Sequence, residues 1–491
     1  MDNLLSIIIF IPAIAAAILA LFLRGDDEEA HRNAKWVAFI ATVMTFVVSV
    51  FILFEFDAGD PGFQVVEEHE WLFGVTYRVG VDGISLWMVL LTTFLMPLII
   101  AGAWRHEART KGFMIALLTL ETLILGAFLS TDLMFFFIFA EAAIVPLLVV
   151  LTLWGGDGGR ATAVKLMLYA VPGAVAMLLA MVVMTFDAET TDIEALMTHQ
   201  FSEGISPLWM ALAFLASFAM KLPLWPLHAW SVGVQARVPS AMAMVLAALL
   251  TKVGAYGILR FVIPMFPEGA AQLAPVLMWV SVFMILYAGI AALASGDLRR
   301  LIGYAGIAHM GLILLGVFSA AAQGVHGAIF MMVSHGLAIT ALIFVLVVLK
   351  QRVKSTDIAA FGGVAARMPF LAFGALIFTM ASVGVPATSG FVGVFLSLIG
   401  VFEAAPVLAA LAFLGLVIVA AALLGVVKRV IFGPLIKQSL KELEDLDRRE
   451  FLCCAVLLCA ILYLGLFPGL ITESTAATVD ALVLGYRDAL E

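Results

Sequence analysis

The sequence predicts an all-α polytopic membrane protein of about fourteen spans, with two inverted five-helix repeats and broken helices in spans seven and twelve. Three observations predict it. Hydrophobic residues make up 64% of the 491 residues and charged ones only 12%, a composition that leaves little for a water-facing surface. Fourteen apolar segments reach the length of about 20 residues that a bilayer requires. Two of them carry proline faults, at Pro223 and Pro386, which lie 163 residues apart.

The segments run roughly 4 to 23, 35 to 54, 83 to 103, 113 to 130, 132 to 153, 163 to 186, 207 to 229, 240 to 263, 274 to 294, 301 to 319, 325 to 349, 370 to 401, 404 to 427 and 451 to 471. The first begins MDNLLS, with an acid where a secretory signal would carry a basic region, and is read as a span. Loops after odd-numbered spans hold the basic residues, among them Arg24, Arg105, Arg160, Arg237, Arg299, Arg300, Lys350 and Lys428. Loops after even spans, FEFDAGDPGFQVVEEHEW and FDAETTDIEALMTHQFSEG, hold no lysine or arginine. Basic loops stay on the cytoplasmic side, so both termini are expected outside. The expected membrane is the bacterial inner membrane, with the mitochondrial inner membrane the weaker assignment.

Spans four to eight are echoed by spans nine to thirteen at an offset of about 162 residues. Five is odd, so the second copy is inverted, and inverted repeats with broken helices at matching places point to a transport site near the midplane. The expected units are a three-helix segment over 1–112, a first repeat over 113–263, an inverted repeat over 274–427, and a cytoplasmic loop with a C-terminal helix over 428–491. KQSLKELEDLDRRE, 437 to 450, reads as a solvated helix with Lys441–Asp445 and Glu444–Arg448 pairs.

The net charge of −9 comes largely from the acidic loops and indicates no nucleic-acid partner. Cys453, Cys454 and Cys459 share the last span and read as buried small residues, without disulfide, zinc or iron–sulfur spacing. No glycine-rich nucleotide motif stands between a strand and a helix. The chain is therefore expected to hold no cofactor and no metal.

Chemistry concentrates in ionisable residues inside the spans, which are costly there and functional by default. In FAMKLPLWPLHAW, Lys221 lies about fourteen residues into its span, beside Pro223 and Pro226. Proline has no N–H, so the two prolines are expected to free the carbonyls of Ala219 and Leu222, which protein or water in a cavity must satisfy. Glu141, in FFFIFAEAAIVPLL, is the candidate partner carboxylate, and Lys252, in LAALLTKVGAYG, is equally deep. Each group's protonation depends on its neighbours' charge, which suits a proton carrier. His309 and His335 lie inside spans ten and eleven and titrate nearest physiological pH. His228 and Tyr304 are further candidates. Lys165, His326 and Arg260 lie near span ends and read as interfacial anchors.

These motifs together resemble the antiporter-like M subunits (chain 4) of proton-pumping NADH:quinone oxidoreductase, respiratory complex I. The resemblance is carried by Glu141, Lys221-x-Pro-x-Trp-Pro-x-His-x-Trp230, Leu250-Thr-Lys-Val-Gly-Ala-Tyr-Gly257, Ala308-His-Met-Gly311, Ser334-His-Gly336 and Thr388-Ser-Gly-Phe-Val-Gly393, with YRVGVDGIS and VIFGP further along. It implies fourteen helices with two inverted repeats and a relay of Glu141, Lys221, Lys252, His309 and His335. It implies, too, partnership with other membrane-arm subunits and lipids, with NADH, FMN, iron–sulfur clusters and quinone confined to partner subunits. The chain departs from the family at Val394, where a glutamate is usual, at Gln235, where the second histidine of the seventh-span motif is usual, and at Ala387, where glycine is usual. The departures keep two other readings open: a related cation/proton antiporter or hydrogenase-type complex, and a proton-incompetent structural paralogue.

Overall fold

The computed structural model describes residues 3–25, 27–70, 76–105 and 108–490. Asp2 and Trp71, which contribute to the sequence arguments on the N-terminus and the first acidic loop, lie outside these residues. Among the described residues, twelve continuous helices are long and apolar enough to cross a membrane. Two more spans are built from shorter pieces: Pro207–Lys221 with Ala229–Arg237, and Pro369–Val383 with Ser389–Ala404. The total is the fourteen spans expected, and both breaks fall at the proline faults.

Burial sorts the spans. Leu4–Phe22, Gly159–Ala188 and Pro406–Val426 expose large apolar side chains such as Phe22, Phe186 and Phe413, as lipid-facing helices do. The eighth span, Ser240–Met265, and the eleventh, Ala322–Val353, are buried along their whole apolar windows. They form the centre of the molecule. Close approach around them relies on small residues. A Cβ on Gly393 would stand 2.9 Å from Met331 Cα, and one on Gly400 2.2 Å from Gly324 N, so spans eleven and twelve meet backbone to backbone.

A pair of matching staples shows the inversion. Asp132 caps the fifth span and accepts the Thr191 hydroxyl, while Leu133 N–H donates to Thr191 carbonyl at 2.8 Å and Ile193 N–H to Thr131 carbonyl at 3.0 Å. Asp297 caps the tenth span and accepts the Thr356 hydroxyl, with Leu298 N–H on Thr356 carbonyl at 2.9 Å and Ile358 N–H on Gly296 carbonyl at 2.9 Å. Asp297 lies 165 residues after Asp132. The first staple closes the acidic end of the molecule, the second the basic end.

The structure corrects several details of the sequence reading. The acidic segment after the second span contains an antiparallel hairpin, Gln64–Glu70 paired with Thr76–Val81. A further helix, Gly469–Asp488, follows the last span and buries Ile471, Val479 and Val483. Residues 437–450 are not a solvated helix. Arg352 holds the carbonyls of Glu444 and Asp445 at 2.8 and 2.9 Å, and the Asp445 carboxylate accepts Phe370 N–H at 2.8 Å, capping the twelfth span. Those contacts use the groups that a helix over this stretch would need. Cys459 is exposed, while Cys453 and Cys454 are buried.

Arg260 is not an interfacial anchor. It pairs inside the protein with Asp82, which is fully buried, and its guanidinium lies 4.4 Å from the ring centre of Phe63. His326 is part-buried, its Nδ1 3.1 Å from the Thr475 hydroxyl. Lys165 is exposed on the sixth span.

Candidate functional site

The break in the seventh span places its lysine. The helix ends at Lys221 because Pro223 cannot continue it. The carbonyls near the break do not stay free: Leu224 N–H donates to Ala219 carbonyl at 2.8 Å, and the Trp230 indole donates to Met220 carbonyl at 3.1 Å. The Ala219 carbonyl, expected to need a partner from protein or water, finds one in the chain itself, which turns back and satisfies it. Lys221 is buried, and its ammonium lies 2.5 Å from Glu141 Oε1 and 3.0 Å from Ser217 Oγ. Ser217 in turn donates to Glu141 Oε1 at 2.8 Å. Three groups on two spans therefore close one hydrogen-bonded triangle.

Gly254 of the eighth span brings the second lysine alongside. A Cβ there would stand 2.7 Å from Leu222 N and 3.1 Å from Lys221 Cβ, so only a glycine lets the break pack this closely. Lys252 follows a π-helical stretch, Leu246–Leu250, whose wide turn suits a functional position. Its ammonium lies 3.0 Å from Ala247 carbonyl and 2.6 Å from His335 Nδ1. Lys252 is fully buried. Among the described residues, no carboxylate lies within hydrogen-bonding distance of it.

The His309 and His335 rings lie 5.3 Å apart between centroids. His309 lies beside the backbone of Ser382, just before the second break. Ser334 donates to Ser389 across that break at 3.0 Å. His335 Nε2 and His309 Nδ1 are buried without a hydrogen-bond partner. The structure therefore brings Lys252, His309 and His335 into one cluster, with Glu141 and Lys221 as a second cluster across Gly254.

The remaining candidates lie elsewhere. His228 and Tyr304 line a cavity of about 470 Å³ toward the basic end, together with Tyr287, Arg237 and Arg300. His228 Nδ1 has no partner, and its ring meets Tyr287 edge-on at 5.1 Å. Val394 is half-buried on the twelfth span and packs toward Gly384, whose φ of 82° suits glycine. Glu403 is exposed at the end of that span and does not fill the Val394 position with an acid.

Sequence reasoning missed four groups. Ser217 is neutral and carries no signal in an apolar run. Arg299 reads as a topology marker, yet it donates to the carbonyls of Gln235, Ala236 and Val238 at 3.3, 3.2 and 3.0 Å and to Ser240 Oγ at 2.8 Å. It thereby caps the second half of the broken helix. Gln235 appeared only as a departure from the family. Glu121, in the fourth span, is fully buried with both carboxyl oxygens unpartnered. The rule that singled out Glu141 would have found it.

With buried lysines at a broken helix, inverted repeats and a histidine pair at the second break, the molecule is an antiporter-like membrane subunit by architecture. The family model described as NADH:quinone oxidoreductase/Mrp antiporter, transmembrane, matches residues 130–419, and the chain belongs to that family. Along nearly its whole length it is similar to NADH-quinone oxidoreductase subunit M of Rhodobacter capsulatus, with 46% identity over 99% of this chain and 98% of the relative. It is also similar to a chain of the respiratory complex I from Thermus thermophilus, solved with bound NADH, with 30% identity, a TM-score of 0.89 and coverage of 99% and 100%. A chain of the Mrp complex from Dietzia shares the fold at 18% identity, with a TM-score of 0.83 and coverage of 100% and 99%.

Proposed function

We propose that this chain is a membrane-arm subunit of a proton-translocating NADH:quinone oxidoreductase, assembled with other membrane-arm subunits in a bacterial inner membrane. Its basic end then faces the cytoplasm and its termini the periplasm. NADH, flavin, iron–sulfur and quinone chemistry belongs to the partner subunits. The observation that carries the reading is the 2.6 Å contact between Lys252 and His335, buried on the two central spans. A hydrogen bond at that distance needs one donor and one acceptor, so the pair shares a proton and can pass it on. Glu141 governs the charge held at Lys221, and Lys221 governs that at Lys252 across Gly254. His309 leads toward the second break, where Gly384, Pro386 and Thr388 separate Pro369–Val383 from Ser389–Ala404.

The donors at the first break support a proton over sodium as the moving ion. A broken helix can offer its carbonyls to a metal cation, but here those of Ala219, Met220, Gln235 and Ala236 already accept amide, indole or guanidinium donors.

The half-buried Val394 favours a second reading, in which the subunit is structural or depends on a partner for its outlet. Purification in mild detergent through a tag on this chain tests the assignment. NADH-oxidising and quinone-binding subunits are expected to copurify with NADH:quinone oxidoreductase activity. Copurification with cation/proton antiporter subunits, without that activity, would refute it.

A further inference from the structure

We infer that Gln235 is a positioning residue for proton entry, orienting a water between the basic-end cavity and His335. The inference rests on the relay proposed above and names its inward step. The short helix Ala229–Arg237 forms a wall with cavities on both sides. On one side lies the open cavity of about 470 Å³, reached by Val232 and Ala236 of that helix and by Tyr304. On the other lies a small chamber of about 10 Å³, lined by Ser231, Gln235, Gly303, Thr251 and His335. That is room for about one water.

Gln235 is buried, and its amide donates to Ser231 Oγ at 3.1 Å. Its Oε1 faces Gly303, where an added Cβ would stand 3.2 Å away. Arg299 holds the Gln235 carbonyl and so fixes the backbone of the wall. Across the chamber, His335 Nε2 is buried without a partner while Nδ1 meets Lys252. An imidazole in that position works from both ends. A proton arriving on the chamber water forms an N–H bond at Nε2 as the Nδ1–H bond passes its proton to a neutral Lys252 amine, leaving charge balanced along the row. An amide does not titrate at working pH, so Gln235 holds the water in line and takes no proton itself. Ser231 completes the polar side of the wall.

The test uses the whole complex in proteoliposomes, reading NADH-driven proton uptake in H2O and D2O. Gln235→Leu keeps the size and removes the polarity. It is expected to lower uptake on the order of tenfold or more, as loss of a proton-transfer partner does, and to raise the solvent isotope effect. Gln235→His, which can both donate and accept, is expected to restore uptake to within about twofold. Gly303→Ala crowds Oε1 from the opposite helix and is expected to slow uptake without touching any relay group. If Gln235→Leu does not assemble, Gly303→Ala decides: slowed uptake with a raised isotope effect supports the inference, and unchanged uptake overturns it. An intact Gln235→Leu complex pumping like wild type overturns it, as do Leu and His variants equally impaired. Lys252→Met is the control. If it pumps normally the relay reading itself falls, whereas a dead Lys252→Met beside a normal Gln235→Leu removes only the role of Gln235.

Discussion

Lys221 and Glu141 form a charge pair between the seventh and fifth spans, at 2.5 Å, with Ser217 bonded to both. The lysine is buried and the carboxylate nearly so. Removing one partner of a buried pair strands the other at a cost of about 3 to 5 kcal/mol. Glu141→Gln keeps the shape and the Ser217 contact and removes the charge. It is expected to abolish proton uptake by the reconstituted complex and to slow its coupled turnover, while a native gel shows full assembly. Wild-type uptake in an assembled variant would exclude Glu141 from the relay.

Much of this pair was legible in the sequence because a charge in an apolar run has few neutral explanations. The breaks were legible for the same reason, since Pro223 and Pro386 stand where helices otherwise continue. What stayed hidden was polar but unexceptional. Ser217 and Gln235 are ordinary in composition, and only the fold sets one against Glu141 and the other between two cavities. Arg299 and Arg260 were visible as charges, yet their partners are distant in sequence: the carbonyls after Gln235 for one, Asp82 for the other. The helix Gly469–Asp488 escaped notice because the exposed Glu473, Asp480 and Asp488 interrupt the apolar run along the sequence, while its buried face, Ile471, Val479 and Val483, is set only by the fold. The Asp132 and Asp297 staples were written in the sequence as Thr131-Asp-Leu and Gly296-Asp-Leu with Thr191-Asp-Ile and Thr356-Asp-Ile. Their meaning needs the hydrogen bonds.

Asp82 and Arg260 give a stability prediction. Asp82 also caps the third span by accepting Ser85 N–H at 2.8 Å, and asparagine caps helices about as well as aspartate. Asp82→Asn therefore isolates the loss of charge, and Arg260→Met the loss of its partner. Each single variant is expected to destabilise by about 3 kcal/mol or more, and the double variant by less than either, because no buried charge is left alone. Thermal inactivation of the purified complex measures this. A double variant as damaged as the sum of the singles would contradict it.

Val394 tests the outlet. Ser334, Ser389 and Thr388 supply hydroxyls at the second break, and water among them could carry a proton from His309. Val394→Glu is then expected to leave proton uptake unchanged or modestly faster in reconstituted vesicles. A change from no uptake to full uptake would show that the natural chain has its outlet closed.

The central claim is that Lys252 exchanges its proton, and replacing it in the assembled complex tests this most directly. Methionine cannot hold a proton, and arginine stays charged at any working pH. NADH-driven proton uptake by proteoliposomes is expected to collapse in both Lys252→Met and Lys252→Arg, with assembly retained. Full uptake by Lys252→Arg would make Lys252 a fixed charge and contradict the relay.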